Sequence, residues 1–278
     1  MIYLYLVSSA ALIPILDNFF DILRQSYSWW LVPVLFIGFF LGFVIIHMAW
    51  FFLSFIFVSL ESDREKGAKY YRFALKITLP LVIKFLRVKV NVSGKDPEEI
   101  PQDRRVFFVC NHQHDFDPAI LWSVFPENEI GFIGKKENYK KMPIIAKIMH
   151  KLYGLPIDRD NNREAVKTII EAIKILKEDK ASIALFPEGY TSKTCELLPF
   201  RNGAFKIALK AKTPIAVCVI NGTRELPKRL FWRGGEVDFR IVDVIYPEQY
   251  EGMNTNELGD IIHEKMQISL DEIQNKAE

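Results

Sequence analysis

Val106-Phe107-Phe108-Val109-Cys110-Asn111-His112-Gln113-His114-Asp115-Phe116-Asp117-Pro118 is the stretch on which the fold turns. The uncharged, β-branched and aromatic run Val106–Cys110 reads as a buried strand. Asp117 before Pro118 reads as the start of a helix, a capping carboxylate followed by the residue that suits the first helical turn. A buried strand running directly into a helix is the unit from which α/β sheets are built, and in such sheets the strand C-terminal ends are where sites form. The polar residues 111–117 fall at that end.

The same texture continues on both sides. Val88–Val92, Ile130–Ile133, Ser182–Phe186, Ile215–Ile220 and Val237–Val244 read as further strands. Arg163–Glu178 reads as a helix, with Val166, Ile169, Ile170, Ile173 and Leu176 on one face and Asn161 or Asn162 as N-cap. Gly203–Lys212 and Thr255–Gln274 read as two more. Strands alternating with helices predict an α/β domain with a mixed or mainly parallel sheet flanked by helices. With no repeat, low-complexity tract or Gly/Ser-rich linker, one catalytic domain over residues 88–278 accounts for most of the 278-residue chain.

N-terminal membrane helices are expected to precede it, over residues 1–60. Ile2–Leu16 is apolar, a short polar connection carries Asp17, Asp21 and Arg24, and Trp29–Leu60 contains no Asp, Glu, Lys or Arg. This fits one or two spans. A cleavable signal peptide fits poorly, because no basic residue precedes Arg24. Residues 61–95 then hold nine Lys or Arg against three acidic residues, which by the positive-inside tendency places the catalytic domain on the cytoplasmic face of the cell membrane. Within 61–87, bulky apolar residues alternate with Lys76, Lys84 and Arg87. That mixture suits either an interfacial segment or an amphipathic helix covering the core, with Pro80 expected to kink it.

The formal net charge of +2 gives no global basic field, so nucleic acid is not expected as a partner. Cys110, Cys195 and Cys218 lie far apart, without the spacing of a disulfide framework or a four-thiolate zinc site, and suit a reducing compartment.

His112 is the residue type that is neutral near pH 7 and still accepts a proton. A carboxylate on its far ring nitrogen fixes its tautomer, and Asp117, five residues on, can reach back across the turn to do so. Such a pair is a base without a protein nucleophile, suited to deprotonating a bound hydroxyl. Asp117 can equally be only a helix cap, and the two roles are compatible. His112, His114, Asp115 and Asp117 also admit a metal reading, which a chance His-x-His explains as well. No Gly-x-Ser-x-Gly elbow is present, against a serine hydrolase.

Asn111-His112 with Asp117 resembles the Asn-His-x4-Asp signature of the 1-acylglycerol-3-phosphate acyltransferase family and its glycerolipid acyltransferase relatives. Gly154-Leu155-Pro156-Ile157-Asp158-Arg159 resembles the family's second motif, and Phe186-Pro187-Glu188-Gly189 the third, usually Phe-Pro-Glu-Gly-Thr-Arg. Phe200–Lys206 is similar to the basic segment that follows, and Pro214-Ile215-Ala216-Val217 to the proline-containing fourth motif, with Val217 where a second proline is common. Tyr190 and Thr191 depart from the third motif and remove one expected arginine; Lys193 or Arg201 is the candidate replacement.

The resemblance covers residues 88–245 and implies His112 and Asp117 as catalytic residues, with Arg159, Glu188, Gly189 and Arg201 binding substrate. It implies transfer of a fatty acyl group to the sn-2 hydroxyl of 1-acylglycerol-3-phosphate, giving phosphatidic acid. No bound cofactor or metal is implied; the acyl donor is a thioester of acyl carrier protein or coenzyme A. The implied partners are membrane lipid, a lysophospholipid acceptor and, where it carries the donor thioester, acyl carrier protein. The run Lys135, Lys136, Lys140, Lys141, Lys147 and Lys151 suits an acidic carrier protein, lipid head groups, coenzyme A phosphates or simply a solvated face. Three other readings stay open: another acceptor, such as glycerol-3-phosphate or a larger lysophospholipid; a non-catalytic membrane lipid-binding protein; and a metal-dependent hydrolase.

Overall fold

A computed structural model describes residues 1–20, 30–229 and 234–275. The chain divides into two compact units, Met1–Val58 and Ser59–Glu278.

The first unit contains α1 (Ile2–Phe20) and α2 (Leu31–Ile56). Among the described residues α2 alone is long and apolar enough to cross a membrane; the apolar part of α1, Ile2–Asp17, is shorter. Tyr5 of α1 stacks on Phe43 of α2, with centroids 6.1 Å apart. The expected connection through Asp21 and Arg24, and the start of the second run at Trp29, lie outside the described residues.

The second unit opens with α3 (Ala68–Phe85), which runs unbroken through Pro80. The sheet strands are β1 (Val88–Gly94), β2 (Phe107–Cys110), β3 (Ile130–Lys135), β4 (Leu155–Ile157), β5 (Ser182–Leu185), β6 (Ile215–Asn221) and β7 (Gly235–Ile245). The helices after β1 are α4 (Asp117–Val124), α5 (Lys136–Lys141), α6 (Pro143–Lys151), α7 (Asn162–Lys177), α8 (Lys206–Ala211), α9 (Leu226–Arg229) and α10 (Thr255–Asn275). Asn161 caps α7 through its side-chain oxygen, which accepts from Arg163 N and Glu164 N.

The sheet order is β1-β7-β6-β2-β5-β3-β4. All neighbouring pairs are parallel except β6 with β7. The mainly parallel sheet read from the sequence is therefore correct.

Strand alternation sends Phe107 and Val109 of β2 to one core, with residues of α7, α8 and α10. Phe108 and Cys110 go to the other, with Ile83 of α3 and Ile120, Leu121 and Trp122 of α4. Both faces are covered, which is why β2, β5 and β6 are continuous apolar runs. Of the face predicted on α7, Leu176 is buried and Ile169 and Ile173 pack against the core, whereas Val166 and Ile170 are exposed. Ala172, Ile175 and Leu176 carry the burial.

The site is positioned by strand order. β2 leads through α4 past β5 to β3, whereas its neighbour β5 leads through α8 past β2 to β6. Connections leaving adjacent parallel strands in opposite directions open a crevice at their C-terminal ends. The residues after β2 and after β5, beginning at Asn111 and Phe186, meet in that crevice.

Candidate active site

Asn111 ends β2 by continuing its ladder with a side chain. Its Nδ2 donates to Ile220 O at 2.9 Å and its Oδ1 accepts from Ile220 N at 2.7 Å. The amide thus satisfies both backbone groups of a β6 residue that β2 no longer reaches. Gln113 is pinned in the same way: Oε1 accepts from Gly222 N, and Nε2 donates to Asn221 Oδ1. His112 is held between these two buried anchors.

Asp117 is fully buried at the first turn of α4. Its Oδ2 takes three contacts, from His112 Nδ1 at 2.8 Å, Gln113 N at 2.7 Å and His114 N at 2.8 Å. The carboxylate therefore shapes the turn and orients the imidazole together, joining the two roles that the sequence left side by side. An acceptor at this point requires the proton on Nδ1, which leaves Nε2 as the basic nitrogen. The ring stacks on Phe186 at 4.3 Å between centroids, which removes its remaining freedom to tilt.

Glu188 is turned inward and is 3% exposed. Oε1 accepts from His112 N at 2.7 Å and Oε2 from Leu198 N at 3.0 Å. Each oxygen thus accepts from a backbone N–H group, so the side chain positions His112 and the 198 loop. Burial pushes its pKa up to about 7, the two backbone bonds pull it down, and the Asp117 charge adds a further upward push. Ser192 N closes the other side by donating to His112 O at 2.7 Å.

Gly189 adopts φ +79°, and a Cβ there would meet Arg201 Nε at 3.0 Å. Its role is to let the Arg201 side chain lie across the turn. Arg159 and Arg201 come together around Tyr190, with Cζ 5.6 Å and 5.4 Å from the ring centre. Arg201 also donates to Arg159 O at 3.4 Å. Burial, then the Arg201 charge, lower the Arg159 pKa. Of the two replacements considered for the missing arginine, Arg201 is the one beside Arg159, and two guanidiniums on one face suit an anion such as phosphate.

Lys151 leaves the basic run: it is buried, and Nζ donates to Asp63 O and Lys66 O at 2.7 and 3.1 Å. Among the described residues no three His, Cys, Asp or Glu side chains converge as metal ligands. A Cβ added at Gly203 would meet open space. A groove of about 610 Å³ along β1, β7 and α10 contains none of the site residues. Its charges pair internally, as Lys95 with Glu99 and Arg240 with Glu272.

Sequence reasoning missed Gln113 and the inward direction of Glu188. The signal for Gln113 was its polarity beside a strand end; its partners Asn221 and Gly222, more than a hundred residues away, left no local trace.

Residues 89–221 match a family model described as Acyltransferase. The chain is 27% identical over 184 residues to the 1-acyl-sn-glycerol-3-phosphate acyltransferase of Haemophilus influenzae, covering 66% of this chain and 76% of that one. It is 30% identical over 192 residues to the enzyme of that name from Saccharomyces cerevisiae, covering 68% and 62%. Against the Limnanthes douglasii protein of the same name it spans about half of the relative's length, 54%. The crystal structure of the 1-acyl-sn-glycerophosphate (LPA) acyltransferase PlsC from Thermotoga maritima superposes with a TM-score of 0.62 at 26% identity, covering 88% of this chain and 92% of that one.

Proposed function

We propose that the chain, whose residues 89–221 match the Acyltransferase family model, is a 1-acylglycerol-3-phosphate acyltransferase, transferring a fatty acyl group from a thioester to the sn-2 hydroxyl of 1-acylglycerol-3-phosphate and giving phosphatidic acid at a membrane. The observation that carries the proposal is the buried Asp117 carboxylate holding His112 Nδ1 at 2.8 Å, so that Nε2 is the basic nitrogen.

In this mechanism His112 Nε2 takes the proton of the acceptor hydroxyl as its oxygen attacks the thioester carbonyl carbon. The tetrahedral intermediate collapses, the carbon–sulfur bond breaks, and the imidazolium returns its proton to the leaving thiolate. Asp117 stabilises the imidazolium while it lasts. No acyl-enzyme forms. Arg159 and Arg201 hold the acceptor phosphate, and Glu188 fixes the backbone of His112. The donor is a thioester of acyl carrier protein or of coenzyme A, bound as substrate.

Association with the cell membrane is supported by the length and apolarity of α2. The cytoplasmic position of the catalytic domain rests on the basic residues that follow it.

Purified protein in detergent, given 1-acylglycerol-3-phosphate and each thioester in turn, is expected to form phosphatidic acid with at least one donor. Turnover confined to glycerol-3-phosphate, or to a lysophospholipid with a larger head group, would replace the acceptor named above. Folded protein inert with every pairing would defeat the proposal.

A further inference from the structure

Tyr190 sits on the turn between the two groups that grip the His112 backbone. Glu188 accepts from His112 N, and Ser192 N donates to His112 O. The turn therefore presents Tyr190 at the edge of the reacting centre, half-exposed at 51%. Both guanidiniums face its ring, and its hydroxyl accepts from Arg201 Nη2 at 3.2 Å. Neither Arg159 nor Arg201 has a carboxylate within 4.0 Å among the described residues.

Three physical points follow. A phenol oxygen that accepts from a guanidinium keeps its own proton to give, so Tyr190 is a hydrogen-bond donor oriented by Arg201. Two guanidiniums without a carboxylate in direct contact match a phosphomonoester, which carries about −1.5 to −2 charge at neutral pH, better than a singly charged diester. The cation–π contacts hold both cations close despite their mutual repulsion, so the ring acts as their spacer.

We propose that Tyr190 is a specificity-determining residue, which donates a third hydrogen bond to the acceptor phosphate and, with Arg159 and Arg201, selects a phosphomonoester over a phosphodiester. A monoester offers three peripheral oxygens to these three donors. A diester has one of them esterified, and its substituent meets the phenol. The inference rests on the acceptor reading above, in which the two arginines hold the phosphate.

The test compares wild type with Tyr190→Phe, which keeps the ring and removes only the hydroxyl. The two acceptors are 1-acylglycerol-3-phosphate and its phosphocholine counterpart. Tyr190→Phe is expected to raise KM for the monoester roughly 10-fold with kcat within about twofold, as for one lost hydrogen bond to a charged group. The diester should be used or bound poorly by wild type and be nearly unaffected by the substitution. Equilibrium binding of both acceptors to His112→Ala, with and without Tyr190→Phe, gives a readout that needs no turnover. Selective monoester binding that weakens with Tyr190→Phe supports the proposal even where wild type proves inactive, an outcome that would refute only the reaction assigned to His112. Equal effects on both acceptors, an unchanged KM and binding constant, or a fall in kcat alone would overturn it.

Discussion

Replacing Asp117 by Asn tests the central pair with little change of shape. Three hydrogen-bond donors converge on Asp117 Oδ2, two of them backbone N–H groups that cannot move. The Asn side chain must therefore point its oxygen there, and the His112 ring keeps its orientation and tautomer. What disappears is the negative charge beside the imidazolium. At an effective dielectric of about 20 and about 4 Å, that attraction is worth about 4 kcal/mol. The neutral amide retains part of it as a hydrogen bond, so the fall in kcat should be about 100- to 1,000-fold. The amide nitrogen lands at the position of Oδ1, which is buried without a hydrogen-bond partner. Stability should fall by about 1–3 kcal/mol on that account. Thiol release from the donor gives the rate, and thermal unfolding in detergent gives the stability. Adding Asp117→Asn to His112→Ala should slow the residual rate by no more than about twofold, since the carboxylate acts through the ring. A folded Asp117→Asn protein with kcat within about fivefold of wild type would show that Asp117 is a helix cap and nothing more.

Other substitutions separate positioning from binding. Glu188 has its pKa raised from an ordinary 4.5 to about 7, so the folded state binds the extra proton. Its contribution to stability is full below about 4.5 and is lost as pH rises towards 7, by about 3 kcal/mol; Glu188→Gln should flatten that part of the stability curve and, by setting an amide N–H₂ against a backbone N–H, lower kcat at least about 10-fold. Arg159→Lys keeps the charge but loses the two-pronged geometry, and should raise acceptor KM about 10-fold while leaving kcat nearly unchanged. Asn111→Leu orphans both backbone groups of buried Ile220, so urea unfolding should report a loss of about 2–4 kcal/mol.

The α/β class and the positions of six strands were legible because both faces of the sheet are covered, which writes β2, β5 and β6 as uninterrupted apolar runs. β4 was not: three residues with Pro156 in the middle carry too little pattern, and they form a strand because β3 offers a parallel edge. The reversed direction of β7 comes from its antiparallel pairing with β6, the strand just before it, and an apolar strand pattern carries no direction. Pro80 does not end α3, which continues on both sides of it from Ala68 to Phe85. In the site, His112 and Asp117 were readable because they share one turn. The partners of Asn111 and Gln113 stand on β6 and its end, and the meeting of Arg159 with Arg201 needs the folded crevice. Lys151 looked like one charge in a basic run because sequence cannot tell a solvated lysine from one donating to two loop carbonyls.

The most direct measurement is acyl transfer to 1-acylglycerol-3-phosphate by wild type beside His112→Ala, followed by the appearance of labelled phosphatidic acid at saturating donor. The account predicts robust turnover in wild type and a loss of at least about 1,000-fold in the folded variant. Turnover that survives His112→Ala would contradict it, because the base that the Asp117 carboxylate so carefully orients would then not be the one that takes the proton.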